Sequence, residues 1–375
     1  MKNLRCYAKI SITNLLHNFE CVKALLPDGC EIIPIIKANA YSHGSVEIAK
    51  ALSHRVNAFA VAEMDEALLL RENGIKNGLL VLGYTDPSFA SLLSDSKITQ
   101  TVTSLEYAKQ LSKMLGDMSL DVHVKLDTGM HRLGFDTENE STVDEIAEIS
   151  AISNINISGI FSHFAESDCP ESDFTDLQFE RFTKTINELK AMGIDLGTVH
   201  IANSAAILNR PETHLSAVRP GIVLYGAYPS AEIKEKYLAR HPEKPIKEVM
   251  TLCARVGQVH TVKAGESISY SRTHTFERDS VIATVTAGYA DGIPRTLSNN
   301  GRVKINGETF NVVGNVCMDF LMVDITDAKC NIKAGDEVVF WGSEGISIDE
   351  YAQCADTISY TLYTGISPRV AKIYE

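Results

Sequence analysis

Glu31–Gly44 reads EIIPIIKANAYSHG, a short aliphatic run that ends abruptly on Lys37. A run of four to eight apolar residues suits a strand buried on both faces, and a charge at its end places that charge at one rim of the sheet. The same grammar recurs downstream as AFAVA, GLLVLG, ITQTV, DVHVKLD, ISGIFSHF, TVHIANS and AVRPGIVLYG. Between these runs lie stretches such as SVEIAKALSHR, DEALLLRENG, SLEYAKQLSKML and DLQFERFTKTINELKAMG, whose apolar residues recur three and four apart. That spacing is helical, and Gly74 and Gly193 close two of the stretches as helix stops. Strand–helix alternation also fits an open doubly wound sheet, but eight units favour an α/β barrel of TIM-like (β/α)8 type.

Beyond SAEIKEKYLARHPEKPIKEV, read as a polar connector, the texture becomes β-branched alternation: ARVGQVHTVKAG, DSVIATVTAG, RVKINGETFNVVG and DEVVFWG. Asn299–Gly301 and Asn306–Gly307 are hairpin-type turn signals. The expected organisation is a barrel over residues 1–240 and a mostly β domain over residues 241–375. The opening strand CYAKISI, within residues 1–12, lies outside the eight-unit count and is expected to join the second domain.

A formal net charge of −13 without a dense basic block excludes a nucleic-acid surface. No stretch approaches the ~18 apolar residues of a membrane helix, and the first twenty residues lack a signal-peptide core, so a cytoplasmic location is expected. The eight cysteines are scattered without C-x-x-C pairs or zinc spacing, and read as reduced thiols in a chain with no metal.

Catalytic groups of a barrel gather at the C-terminal ends of its strands. There the sequence sets Lys37 on the first run, Lys125, Asp127 and Arg132 around the fifth, His163 on the sixth, Asn203 and Ser204 on the seventh and Arg219 in the eighth. A single strand-end lysine usually keeps its head in water, but five polar strand ends facing one rim describe a site. A lysine in an apolar site loses its proton readily and forms a Schiff base, and the turn Pro220-Gly221-Ile222 offers backbone N–H groups where barrels bind phosphate. Together these suggest pyridoxal 5′-phosphate.

KANAYSHG resembles the pyridoxal-lysine signature KANAYGHG of the alanine racemases. The resemblance continues through KLDTGMHRLGF, FSHFAESD, HIANSAA, VRPGIVLYG, SISYSRT, TAGYADGIPR and GNVCMD, in order, over essentially the whole chain. It implies a homodimer with shared sites that racemises a small amino acid, L-alanine to D-alanine for peptidoglycan. Lys37 would bond the cofactor and serve as one base, and Tyr270 of the partner subunit as the other, because racemisation needs a proton acceptor on each face. A lone strand tyrosine ordinarily packs on the core, so Tyr270 rests on the resemblance, as does His163 beside it, linked to Arg219 at the pyridine nitrogen. Tyr41, Ser204, Gly221 and Ile222 would hold the phosphate. Arg132 would face the cofactor and substrate carboxylate, Lys125 would be carbamylated, Met318 would bind the carboxylate through its N–H, and Tyr289 would line the entrance.

One departure bears on the substrate. In TISYTLYTGISPRVAKIY, Pro368 stands where relatives carry a pocket-narrowing tyrosine before Arg-Val; the missing ring would open the site to serine, unless the position simply varies and Tyr363 or another side chain fills the space. A decarboxylase of the same architecture would carry a cysteine acid in a Cys-Asp motif where this chain has NVCMDF and ISYSR. A non-catalytic pyridoxal phosphate carrier would lack the β domain.

Overall fold

The computed structural model describes residues 4–375. All eight aliphatic runs form parallel strands: Glu31–Ile32, Ala58–Val61, Gly78–Val81, Ile98–Val102, Leu120–Asp127, Ile155–Phe161, Thr198–His200 and Ala217–Val218. Each pairs with the next in chain order, and the eighth returns to the first with Ala217 opposite Glu31. The ring closes between first and second strands through a parallel bridge from Ile35 to Ala60. This is the (β/α)8 barrel. The first strand is short because Pro34 has no N–H for the ladder. Its carbonyl still accepts from Ala60 N at 3.0 Å, and Ile36 N donates to Ala60 O at 2.9 Å.

Helices cover the barrel with the faces that the spacing predicts. Leu105–Leu115 buries Tyr107, Ala108, Leu111 and Leu115, and Ser104 caps it by accepting from Tyr107 N. Part of the presumed connector is also helical. Ala231–Arg240 is capped by Ser230 and buries Ile233 and Tyr237, a pair four apart that its many charges obscured in the sequence. Among the described residues no helix is long and apolar enough to cross a membrane.

The second layer is an antiparallel sheet that curls until Ser280–Val285 meets both Leu321–Asp324 and Met250–Val262. The Asn306–Gly307 signal is a hairpin turn, with both residues at positive φ joining Arg302–Ile305 to Glu308–Val313. The Asn299–Gly301 signal is a turn but not a hairpin; Asn299 instead accepts from Gly314 N at 2.6 Å. Cys6–Ile10 enters this sheet, antiparallel to Met250–Val262 and parallel to Ala371–Tyr374.

The junction between barrel and sheet is polar and fully satisfied at Asn18. This buried side chain donates to Leu224 O and Lys247 O and accepts from Lys247 N. Nearby, Glu248 accepts from Ile348 N at 2.6 Å, and removal from water pushes its carboxyl up to about 7, with Asp349 adding to the shift and Lys234 opposing it. A carboxyl whose folded value is raised costs nothing below the unfolded value near 4.5 and carries its full penalty above about 7. Glu248→Gln keeps the acceptor for Ile348 and removes that penalty. We expect its unfolding free energy to match the parent below pH 4.5 and to exceed it above pH 7, by about 3 kcal/mol, with a higher thermal midpoint there in melts across that range.

Candidate active site

At the C-terminal rim of the barrel the chain behaves unusually just where the first strand ends. Ala38, Asn39, Ala40, Tyr41 and Ser42 all have φ between 50° and 62°, a left-handed helical turn made without glycine. Left-handed geometry costs an L-residue roughly 1–2 kcal/mol, least for asparagine. The turn is held by Ala40 N to Ile36 O, Ser42 N to Ala38 O and Gly44 N to Asn39 O, each 2.9 Å. Asn39 also accepts from Ser45 N at 2.8 Å, and the buried His43 places Nδ1 3.0 Å from Ala40 O and 2.9 Å from Tyr41 O. Lys37 is the first residue of this turn, and its side chain lies among charges of its own sign. Burial, then Arg132 and Arg219, push its amine below the ordinary lysine value, while Glu66 acts the other way.

The fifth strand delivers Lys125, which is 4% exposed. Its Nζ donates to Leu126 O at 2.6 Å, and burial with Arg219 lowers its amine to about 7. Asp127 ends that strand and accepts from Gly129 N and His131 N, folding the following loop so that the charge of Arg132 reaches Lys37, Lys125, His163 and Arg219.

Arg219 is 3% exposed and has no carboxylate partner among the described residues. It donates to Ser162 O at 2.7 Å and Ile201 O at 3.2 Å, and lies 2.6 Å from His200 Nδ1 and 3.3 Å from His163 Nδ1. Burial and Arg132 lower it to about 9, so it remains a cation at neutral pH. Because guanidinium only donates, His200 Nδ1 must accept and Nε2 must carry the proton. Nε2 then donates to His123 Nδ1 at 2.9 Å, which fixes the tautomer of both rings. Burial and the Arg219 charge hold both histidines, and His163, below the usual range.

Next to this cation cluster lies a small cup. Ser204 Oγ accepts from Gly221 N at 2.9 Å, and the Ile222 N–H has no hydrogen-bond partner among the described residues. A Cβ on Gly221 would fall 2.7 Å from the Tyr41 hydroxyl, so only glycine leaves that hydroxyl room. The charges of Lys37, Lys125, Arg132 and Arg219 gathered beside the free Ile222 N–H fit a phosphorylated, aldehyde-bearing cofactor.

The pattern of the family "Alanine racemase, N-terminal domain" matches residues 10–229, and that of "Alanine racemase, C-terminal domain" matches residues 249–374. The chain belongs to the alanine racemase family. It is an isomerase, an amino-acid racemase of the alanine racemase type. An alanine racemase of Clostridium novyi is 42% identical over 100% of this chain and 96% of its own length. One from Carboxydothermus hydrogenoformans is 42% identical over 98% and 99%. Among solved structures, alanine racemase of Clostridium difficile 630 superposes with a TM-score of 0.94 at 37% identity, covering 100% of this chain and 97% of that one. The Bacillus anthracis alanine racemase with bound L-Ala-P gives 0.92 at 31%, covering 100% and 96%.

The racemase barrel thus gathers Lys37, Tyr41, Lys125, Arg132, His163, Ser204, Arg219, Gly221 and Ile222. Three expected residues sit apart on the β domain with exposed side chains: Tyr270 at 69%, Met318 at 52% and Tyr289 at 45%. Tyr270 therefore does not pack on the core. It is held between Ser269, Ser271 and Arg272, all at positive φ, and its carbonyl accepts from Asn315 Nδ2 at 2.7 Å. Backbone strain of this kind around an exposed aromatic is concentrated at functional positions.

Near the expected position of Pro368 another ring is present. Pro368 is exposed, and the ring this segment sets against Tyr41 is that of Tyr360, with centroids 6.1 Å apart. Tyr360 lies on the helix Ser359–Thr364, which packs by the left-handed turn, whereas Pro368 lies past its end. Tyr360, His43, His123, His200 and Glu66 were also not singled out from sequence. Polar residues inside the buried runs DVHVKLD and TVHIANS were the available signal for the two strand histidines.

Gly159 explains how His123 fits, since a Cβ there would fall 2.4–2.6 Å from three ring atoms of His123. Gly159→Ala should destabilise by about 1–3 kcal/mol through overpacking. Adding His123→Ala should recover part of that loss, and additive denaturation midpoints across the double-mutant cycle would contradict the contact.

Proposed function

We propose that this racemase uses pyridoxal 5′-phosphate to interconvert L-alanine and D-alanine, supplying D-alanine for peptidoglycan, and that it does so as a homodimer with two bases per site. The observation that carries this reading is the amine of Lys37, poised on a strained strand end with its proton weakened by burial, Arg132 and Arg219. When bound, the cofactor would supply the electron-accepting ring that stabilises negative charge left on the substrate Cα. Every other task falls to side chains of this chain. Lys37 holds or releases a proton at Nζ on one face of that carbon. Tyr270 of the partner subunit does so at its hydroxyl on the other, and the exposure of Tyr270 in a single chain agrees with that assignment.

Tyr41, Ser204, Gly221 and Ile222 would grip the phosphate, and Arg219 would donate to the ring nitrogen. A cation there keeps that nitrogen unprotonated and moderates the withdrawal of electrons, which limits side reactions. Arg132 would face the substrate carboxylate. Lys125, its amine lowered to about 7, can in its unprotonated form add CO₂ with loss of a proton, and the resulting negative charge would orient Arg132. The N–H of Met318 has no partner among the described residues and would reach the carboxylate from the neighbouring subunit, with Tyr289 at the entrance. The Tyr360 ring beside Tyr41 would narrow the space by the phosphate, which supports alanine over serine.

Enantiomer-resolving chromatography after incubation of the cofactor-loaded protein with L-alanine, L-serine or L-lysine should show alanine converted fastest, with no conversion by Lys37→Ala. Serine converted as well as alanine would replace the alanine reading. Specific activity should also fall on dilution as dimers separate. A proven monomer with undiminished activity would remove Tyr270 from the partner's site. Tyr270→Phe should slow solvent-hydrogen exchange at Cα of one enantiomer more than the other; equal retention would remove it from the role of base.

A further inference from the structure

The barrel ladder between the first and second strands stops in an unusual way. In a parallel pair the bonds alternate, and here Ala60 N donates to Pro34 O while Ile36 N donates to Ala60 O. The next rung would join Ala62 N to Ile36 O and Ala38 N to Ala62 O. Neither bond exists. Ile36 O accepts from Ala40 N within the left-handed turn, and Ala62 O accepts from Gly83 N. The two orphaned donors are taken by one carboxylate: Glu66 accepts from Ala38 N at 2.5 Å through Oε1 and from Ala62 N at 2.7 Å through Oε2. Glu66 reaches them from the first turn of the helix Met64–Glu72, which follows the second strand directly.

We infer that Glu66 is a positioning residue for Lys37: its carboxylate replaces the missing rung, ends the strand at the level of Lys37 and holds the start of the left-handed turn that aims the lysine. The inference deepens the reading of Lys37 as the cofactor-bonding base and rests on it. Ordinary side chains cannot do the same job. An amide in place of the carboxylate accepts from one N–H and turns its own N–H₂ toward the other, and alanine leaves both donors unsatisfied. The charge matters as well as the shape. Of the charged groups acting on Lys37, Arg132 and Arg219 weaken its hold on a proton and Glu66 strengthens it.

The test compares the full chain with Glu66→Gln and Glu66→Asp. Cofactor-stripped protein is mixed with pyridoxal 5′-phosphate across a pH series, the bond to lysine is made permanent with borohydride, and peptide mass analysis follows the rate at Lys37. Capture needs the neutral amine, so the rate rises with pH to a plateau whose midpoint reports Lys37. In Glu66→Gln the midpoint should move down by about one pH unit, and Glu66→Asp, which keeps the charge, should restore most of it. In the reloaded enzyme Glu66→Gln should lose roughly tenfold in kcat with KM within about threefold. A Glu66→Gln protein with unchanged thermal unfolding, midpoint and kcat would overturn the inference. So would equal midpoints in both variants accompanied only by lowered stability, since that is a purely structural effect. If Lys37 is not captured in the unaltered chain, the reading of Lys37 itself fails, and the inference about Glu66 falls with it.

Discussion

Five successive left-handed residues without a glycine are the constraint around which the active end of this barrel is built. At roughly 1–2 kcal/mol each, they represent strain comparable with the whole stability of an ordinary domain. Such a turn survives only when its surroundings leave it no alternative. The carbonyls of Ala40 and Tyr41 meet His43, the side chain of Asn39 meets Ser45 N, and Tyr41 packs between Tyr225 and Tyr360. Each of these contacts also shapes the cup or seats the strand end carrying Lys37. The elements that hold the strain are therefore the elements that build the site.

The charges obey a similar economy. Lys37, Lys125, Arg132 and Arg219 converge with little anionic compensation, and burial weakens the hold of both lysines on their protons. Arg219 is kept charged by carbonyls and by a histidine chain that can only accept at its near end. The result is a site where two lysines give up their protons more readily than usual beside the charges of Arg132 and Arg219, an arrangement suited to gripping a polyanion while leaving a nucleophile free.

Much of this was legible in the sequence. Eight aliphatic runs with helical spacing between them identify a barrel, because strands buried on both faces have no room for alternation. Polar residues ending those runs identify its working rim. Other features were hidden for physical reasons. KANAY is composed of ordinary helix-tolerant residues, so nothing in it announces a left-handed hand that tertiary contacts impose. The bridge from Glu66 depends on where a helix start lies relative to a neighbouring strand, a distance sequence spacing does not encode. That Tyr360 reaches Tyr41 follows from how the helix Ser359–Thr364 packs, which the motif around Arg-Val does not encode. The charge-rich Ala231–Arg240 hid a helix whose buried face is only two side chains wide.

The strand Cys6–Ile10 lies between Met250–Val262 and Ala371–Tyr374, so the barrel is an insertion within the β domain rather than a neighbour joined by one linker. Two chain crossings at the same junction restrict hinge rotation between the parts far more than a single tether does. The order of assembly is affected too. The first strand leaves the ribosome early but cannot pair until the entire barrel and the strand after it have followed, so loop closure across the largest span in the molecule comes last. Until then the unpaired edge must stay clear of other chains, and the barrel, complete in its own hydrogen bonding, is the part able to fold first and keep that edge apart.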